Sequence, residues 1–142
     1  MERKEFIKTC GFACLGGLAI SALLESCGGT KAIEGTISAS NLVVPVSSFV
    51  QKDKYNKYVV VHHEKLKYPI CVYRFNETEY VALLMRCTHQ GAELQVFGTK
   101  LQCPAHGSEF DNKGIVQNGP AEANLRTFPV TIINNQLNIS LK

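Results

Sequence analysis

Four side chains in the sequence bind transition metals readily and stand in a paired arrangement: Cys87 with His89, and Cys103 with His106. The pairs read Cys-x-His and Cys-x2-His, with thirteen residues between them. Thiolate is a soft anionic donor and imidazole a neutral one, so an S2N2 set suits zinc or an iron–sulfur centre. A thiol beside an imidazole can also act as a nucleophile with its base. Each use makes its own demand on spacing. A structural Cys2His2 zinc site joins a Cys-x2–4-Cys pair to a helical His pair, whereas here each segment mixes the two types and continues into Gly91 or Gly107. A nucleophile–base pair needs one thiol and one imidazole, which leaves the second matched pair without a task. An iron–sulfur centre uses all four.

The residues around the pairs are distinctive. The first segment is Arg86-Cys87-Thr88-His89-Gln90-Gly91-Ala92 and the second Gln102-Cys103-Pro104-Ala105-His106-Gly107-Ser108, followed by Phe110-Asp111 and Gly119-Pro120-Ala121. Over residues 80–128 the sequence resembles the Rieske [2Fe–2S] iron–sulfur family, as a disulfide-free, exported member. The resemblance implies one [2Fe–2S] cluster, with Cys87 and Cys103 on a buried iron and His89 and His106 on an outer, solvent-facing iron, so that each loop supplies one ligand to each metal. Imidazoles in place of two thiolates remove negative charge and make the reduced state easier to reach. By the same resemblance Ser108 donates a hydrogen bond to a cluster sulfur, and Gly119-Pro120 covers the cluster from a third side. The sequence also departs from the respiratory members. Ala92 and Ala105 stand where those carry a disulfide between the loops, Phe110 stands where a Tyr hydroxyl would bond a ligand sulfur, Gln90 replaces the usual Leu at the quinol-docking tip, and the inter-loop segment is shorter. One sulfur-directed hydroxyl of two implies an intermediate potential.

Short runs rich in β-branched and aromatic residues must position these loops. Strands are expected at Leu42–Val46, Tyr58–His62, Ile70–Phe75, Tyr80–Met85, Val130–Ile133 and Leu137–Leu141, with a shorter run at Thr99–Leu101. Asn134-Asn135 reads as a hairpin turn, because Asn tolerates positive φ. Outside the N-terminal segment no helical period persists. The expected class is all-β, and the resemblance implies a Rieske-type antiparallel β sandwich carrying a cluster-binding subdomain of two loops. His62 and His63 are expected to alternate inward and outward on a pleated strand and receive no role. Cys71, within an apolar run, is expected to be a small buried hydrophobe.

The chain has 142 residues, 45% apolar and 19% charged, with a net charge of +3. That suffices for one globular domain, and the scattered basic residues argue against nucleic acid as a partner. Arg3, Lys4 and Lys8 precede a fourteen-residue uncharged stretch from Gly11 to Leu24, too short to span a bilayer, which needs about 20. Leu24-Glu25-Ser26-Cys27 then resembles a bacterial lipobox with Cys27 as the lipid-bearing residue, and Arg3 to Lys8 resembles a twin-arginine export motif with Lys as its second basic residue. The expected organisation is a signal peptide and lipobox over 1–27, a tether over 28–40, and a Rieske domain over 41–142. With Cys10, Cys14 and Cys27 in the signal, Cys71, Cys87 and Cys103 do not form a disulfide framework.

These readings lead to one-electron transfer as the function, by a membrane-anchored lipoprotein of the bacterial cell envelope on its extracytoplasmic side. It would be a carrier or the small subunit of an oxidoreductase, active as an enzyme only within a complex, with a cytochrome or an oxidoreductase large subunit as redox partner. The competing readings are a quinol-oxidising subunit of a cytochrome bc-type complex, a Rieske domain serving a ring-hydroxylating oxygenase, and a zinc-stabilised binding module without redox work.

Overall fold

The computed structural model describes residues 29–142, so the expected signal segment, Cys27 and its lipid lie outside the described residues. Fifteen strands form the architecture: β1 (Ala32–Glu34), β2 (Thr36–Ser38), β3 (Asn41–Pro45), β4 (Val50–Gln51), β5 (Lys54–Tyr55), β6 (Tyr58–His62), β7 (Ile70–Arg74), β8 (Tyr80–Leu84), β9 (Gln95–Phe97), β10 (Lys100–Gln102), β11 (Glu109–Asp111), β12 (Val116–Asn118), β13 (Thr127–Phe128), β14 (Val130–Ile133) and β15 (Gln136–Ser140). They build a five-stranded sheet ordered β1-β6-β7-β8-β13, a four-stranded sheet β14-β15-β3-β2, a second four-stranded sheet β12-β11-β10-β9, and the small β4-β5 ribbon. Among the described residues no helix is long and apolar enough to cross a membrane.

The five-stranded sheet is buried on both faces, which explains the near-continuous apolar runs of its three central strands. Alternate residues face opposite ways. Val59, Val61, Ile70, Val72 and Ala82 join Leu42, Val44, Leu137 and Ile139 of the β14-β15-β3-β2 sheet in one core. Val60, Cys71, Tyr73 and Leu83 face a second core, shared with Cys87, Leu94, Leu101, Cys103 and Phe110. The second core is the floor of the end that carries both Cys-His segments. Burial pushes the Cys71 thiol well above its usual range, as expected of a buried hydrophobe rather than a thiolate. The hairpin between β14 and β15 turns through Asn134 and Asn135 at φ 50° and 59°, the left-handed pair that a two-residue turn requires.

Two expectations need correction, and one pairing adds a detail to the antiparallel sandwich. The segment expected as a tether over 28–40 is largely part of the fold, because β1 pairs with β6 and β2 with β3, and Ile33 and Ile37 pack against the first core. The folded unit therefore begins well before Asn41. The β1–β6 pair is parallel, a single exception in an otherwise antiparallel structure. His62 and His63 do not alternate inward and outward; both are half-buried, since β6 ends at His62 and His63 enters a turn where its Nδ1 accepts the Lys65 N–H at 3.1 Å.

Candidate metal centre

The two Cys-His segments form the tips of two hairpins with the same backbone bonding. In the first, Arg86 and Glu93 form a bridge, the Cys87 N–H donates to the Ala92 carbonyl (2.8 Å), and the Gly91 N–H donates to the Cys87 carbonyl (2.9 Å). In the second, Gln102 pairs with Glu109, the Cys103 N–H donates to the Ser108 carbonyl (2.8 Å), and the Gly107 N–H donates to the Cys103 carbonyl (3.0 Å). Each loop thus places its cysteine first and a left-handed glycine fifth. Gly91 and Gly107 have φ of 80° and 81°, a conformation that costs any L side chain strain and that closes both loops tightly over their cysteines.

This shared scaffold sorts the donors by depth. Cys87 and Cys103 are 1% and 2% exposed and belong to the second core. His89 and His106 are exposed, and their rings meet edge to face with centroids 5.1 Å apart. The structure therefore brings all four sequence-predicted residues to one end of the molecule, thiols below and imidazoles above. Such a set fits a [2Fe–2S] cluster, with two soft anionic donors for an inner iron and two neutral donors for an outer one.

A third segment, 118–125, is tied to both loops. The Thr88 hydroxyl donates to the Ala123 carbonyl at 2.6 Å, and the Ala121 N–H donates to Ser108 Oγ at 3.0 Å. Pro120, preceded by a cis peptide bond, lies with Thr88 and His89 along one flank of the site. Ser108 is fully buried, as is Phe110. The Asp111 carboxylate accepts the N–H groups of Lys113 and Ile115, so the Phe-Asp motif closes the turn after β11. The first loop has a further brace: the Tyr68 hydroxyl donates to the Gly91 carbonyl at 2.8 Å. Sequence reasoning missed Thr88 and Tyr68 as supports. Thr88 sat inside a recognised motif, but its partner is 35 residues away, and Tyr68 carries no local signal. Among the described residues Cys71, Cys87 and Cys103 are all free, so no disulfide joins the loops.

Comparison with known proteins agrees with this geometry. Residues 40–129 match the model of the Rieske [2Fe-2S] domain family. The chain is 28% identical to the cytochrome b6-f complex iron-sulfur subunit of Trichodesmium erythraeum, across 96% of this chain and 83% of that one. It is 48% identical to the methylxanthine N1-demethylase NdmA of Pseudomonas putida, but over only 30% of this chain and 13% of the demethylase. Its fold is similar to the plasma membrane Rieske protein PetC3 of Synechocystis PCC 6803, with a TM-score of 0.52 and 28% identity over 59% of this chain and 86% of that one. With the family match spanning most of the molecule and two like hairpins presenting buried thiols beneath exposed imidazoles, the chain belongs to the Rieske [2Fe–2S] domain family and carries one [2Fe–2S] cluster.

Proposed function

We propose that the protein moves single electrons as an extracytoplasmic Rieske carrier or small oxidoreductase subunit, with Cys87 and Cys103 holding the inner iron and His89 and His106 the outer one. The observation that carries the assignment is the depth sorting: both thiols sealed in the second core, both imidazoles at the surface 5.1 Å apart. When bound, the cluster accepts and returns one electron at a time. The chain does the rest. The core under Cys87 and Cys103 excludes water from the inner side, while the exposed imidazoles of His89 and His106 offer the short path to a partner. Ser108 Oγ accepts the Ala121 N–H, which leaves its own proton free for a sulfur.

Membrane attachment is through a lipid on Cys27, the reading favoured by the lipobox-like sequence and by similarity to a plasma membrane Rieske protein. Similarity to a b6-f subunit along nearly the whole chain favours a second reading, quinol oxidation within a cytochrome complex. Gln90, Ala92 and Ala105 weigh against it, because the tip and the inter-loop disulfide of the respiratory type are both changed. The ligand assignment is tested by replacing Cys87, His89, Cys103 and His106 singly by Ala. Each change should abolish the visible absorption, whereas His62→Ala should leave it intact; cluster loss on His62→Ala, or retention on His106→Ala, would overturn the assignment.

A further inference from the structure

Beside His89 lies a cleft of about 460 Å³ whose walls include Leu84, Arg86, Gln90 and Arg126. The topology places the two arginines together: the Leu84 N–H donates to the Arg126 carbonyl, and the Arg86 N–H donates to the Leu84 carbonyl. Both guanidinium groups are held by aromatic rings. Arg86 Cζ lies 5.9 Å from the Tyr68 ring centroid, the ring whose hydroxyl braces the first loop, and Arg126 Cζ lies 4.7 Å from that of Phe128. Lys67 also lies against Tyr68, its Nζ 5.6 Å from the centroid. Among the described residues the one side-chain ion pair is Lys100 with Glu109, so neither arginine pairs with an Asp or Glu side chain. Arg126 Nη2 makes only 3.4 Å contacts to the backbone oxygens of Leu141 and Lys142.

An arginine stacked on a ring is oriented without spending its fork of N–H donors, and that fork matches a carboxylate in bidentate fashion. Two such forks on one wall, a third cation nearby, and an exposed imidazole at the rim make a receptor for several carboxylates at once. The opposite flank of His89 is different, because Glu122 lines it together with Thr88 and Pro120. The face is therefore polar in direction as well as in charge.

Building on the electron-transfer reading above, we propose that the Arg86–Arg126 cleft is the docking surface for an acidic, carboxylate-bearing face of the redox partner protein, which it seats against His89. Opposite charge raises encounter rates by orders of magnitude at low salt and loses that effect within a Debye length of about 8 Å at physiological ionic strength.

The test uses one redox protein in two charge forms: native cytochrome c, which is lysine-rich, and the same cytochrome with its lysines succinylated. Electron exchange with the full-length holoprotein is followed by stopped flow in the downhill direction, at low and high salt. At low salt the succinylated form should react faster. Arg86→Gln/Arg126→Gln should cut that rate on the order of tenfold and speed the native cytochrome, with the visible spectrum retained, and Lys54→Gln should change neither rate. Preference for the native form, or a double variant no slower than Lys54→Gln, would overturn the proposal. So would citrate raising the melting temperature of the wild type but not of the double variant while the cytochrome rates stay equal, since the cleft would then serve a free small anion. A protein without the cluster's visible spectrum would react with neither form, which would mark a failure of the electron-transfer reading rather than of the docking surface.

Discussion

At the scale of single atoms, the proposed role of Ser108 at the centre is open to direct test. Its hydroxyl has one proton to give and two lone pairs, and the Ala121 N–H occupies one lone pair. Removing the hydroxyl with Ser108→Ala therefore has two expected effects. The reduction potential should fall by tens of mV, a fraction of the family span of roughly −150 to +300 mV, and the orphaned Ala121 N–H should cost about 1–3 kcal/mol of stability. Phe110→Tyr should move the potential the other way, because Phe110 is buried in the same core as both thiols. Film voltammetry and urea unfolding check the pair; an unchanged potential in Ser108→Ala would remove Ser108 from the centre. At this scale the sequence pointed to Cys87, His89, Cys103 and His106 by residue type and spacing, and to Ser108 by resemblance, and the structure brings the four donors to one end of the molecule. It was silent for Tyr68, whose contribution depends on a ring swung beneath a loop 23 residues away.

The elements divide by length. β6 and β14 have the bounds that their β-branched runs indicated, β7 and β8 end one residue earlier, and β3, β10 and β15 are shifted by one residue at both ends. The strands that escaped reading, β1, β2, β4, β5, β9, β11, β12 and β13, have two or three residues each. A run that short shows no alternation, and only its partner across the sheet reveals it. The two Cys-His hairpins each draw on one such strand, β9 or β11, and are held by turn chemistry more than by strand propensity. Gly107→Ala should cost roughly 1–2 kcal/mol, the strain of the left-handed conformation alone, because nothing lies within 4 Å of the added methyl group. Gly91→Ala should cost more, as its methyl group would sit 3.2 Å from Arg86 Nε and displace the guanidinium. Thr88→Val removes the bond to Ala123 and should speed cluster loss without altering the fold. Thermal unfolding and the decay of visible absorbance measure these effects; equal stability of the two glycine variants would contradict the described packing of Arg86 against Gly91.

On the scale of the molecule, a central sheet apolar on both faces separates a structural core from a metal-binding core, so the cluster end is stabilised from below and open above. The all-β class followed from the sequence, because short β-branched and aromatic runs between turn residues are local signals. The start of the folded unit did not, since Ile33 and Ile37 are isolated apolar residues in a polar stretch and their role depends on β6 and β3. If Cys27 bears the lipid, Cys27→Ser should shift the protein from the membrane to the soluble fraction, because a lipoprotein's acyl chains, not a spanning helix, would hold it there; unchanged retention would make the N-terminal apolar run the anchor. The central claim rests on what the four donors hold. Purified protein should be red-brown, with two irons and two acid-labile sulfides per chain, and its dithionite-reduced form should give an EPR signal of low average g, the mark of one iron on thiolates and the other on imidazoles. A colourless protein with stoichiometric zinc and no EPR signal would contradict the account.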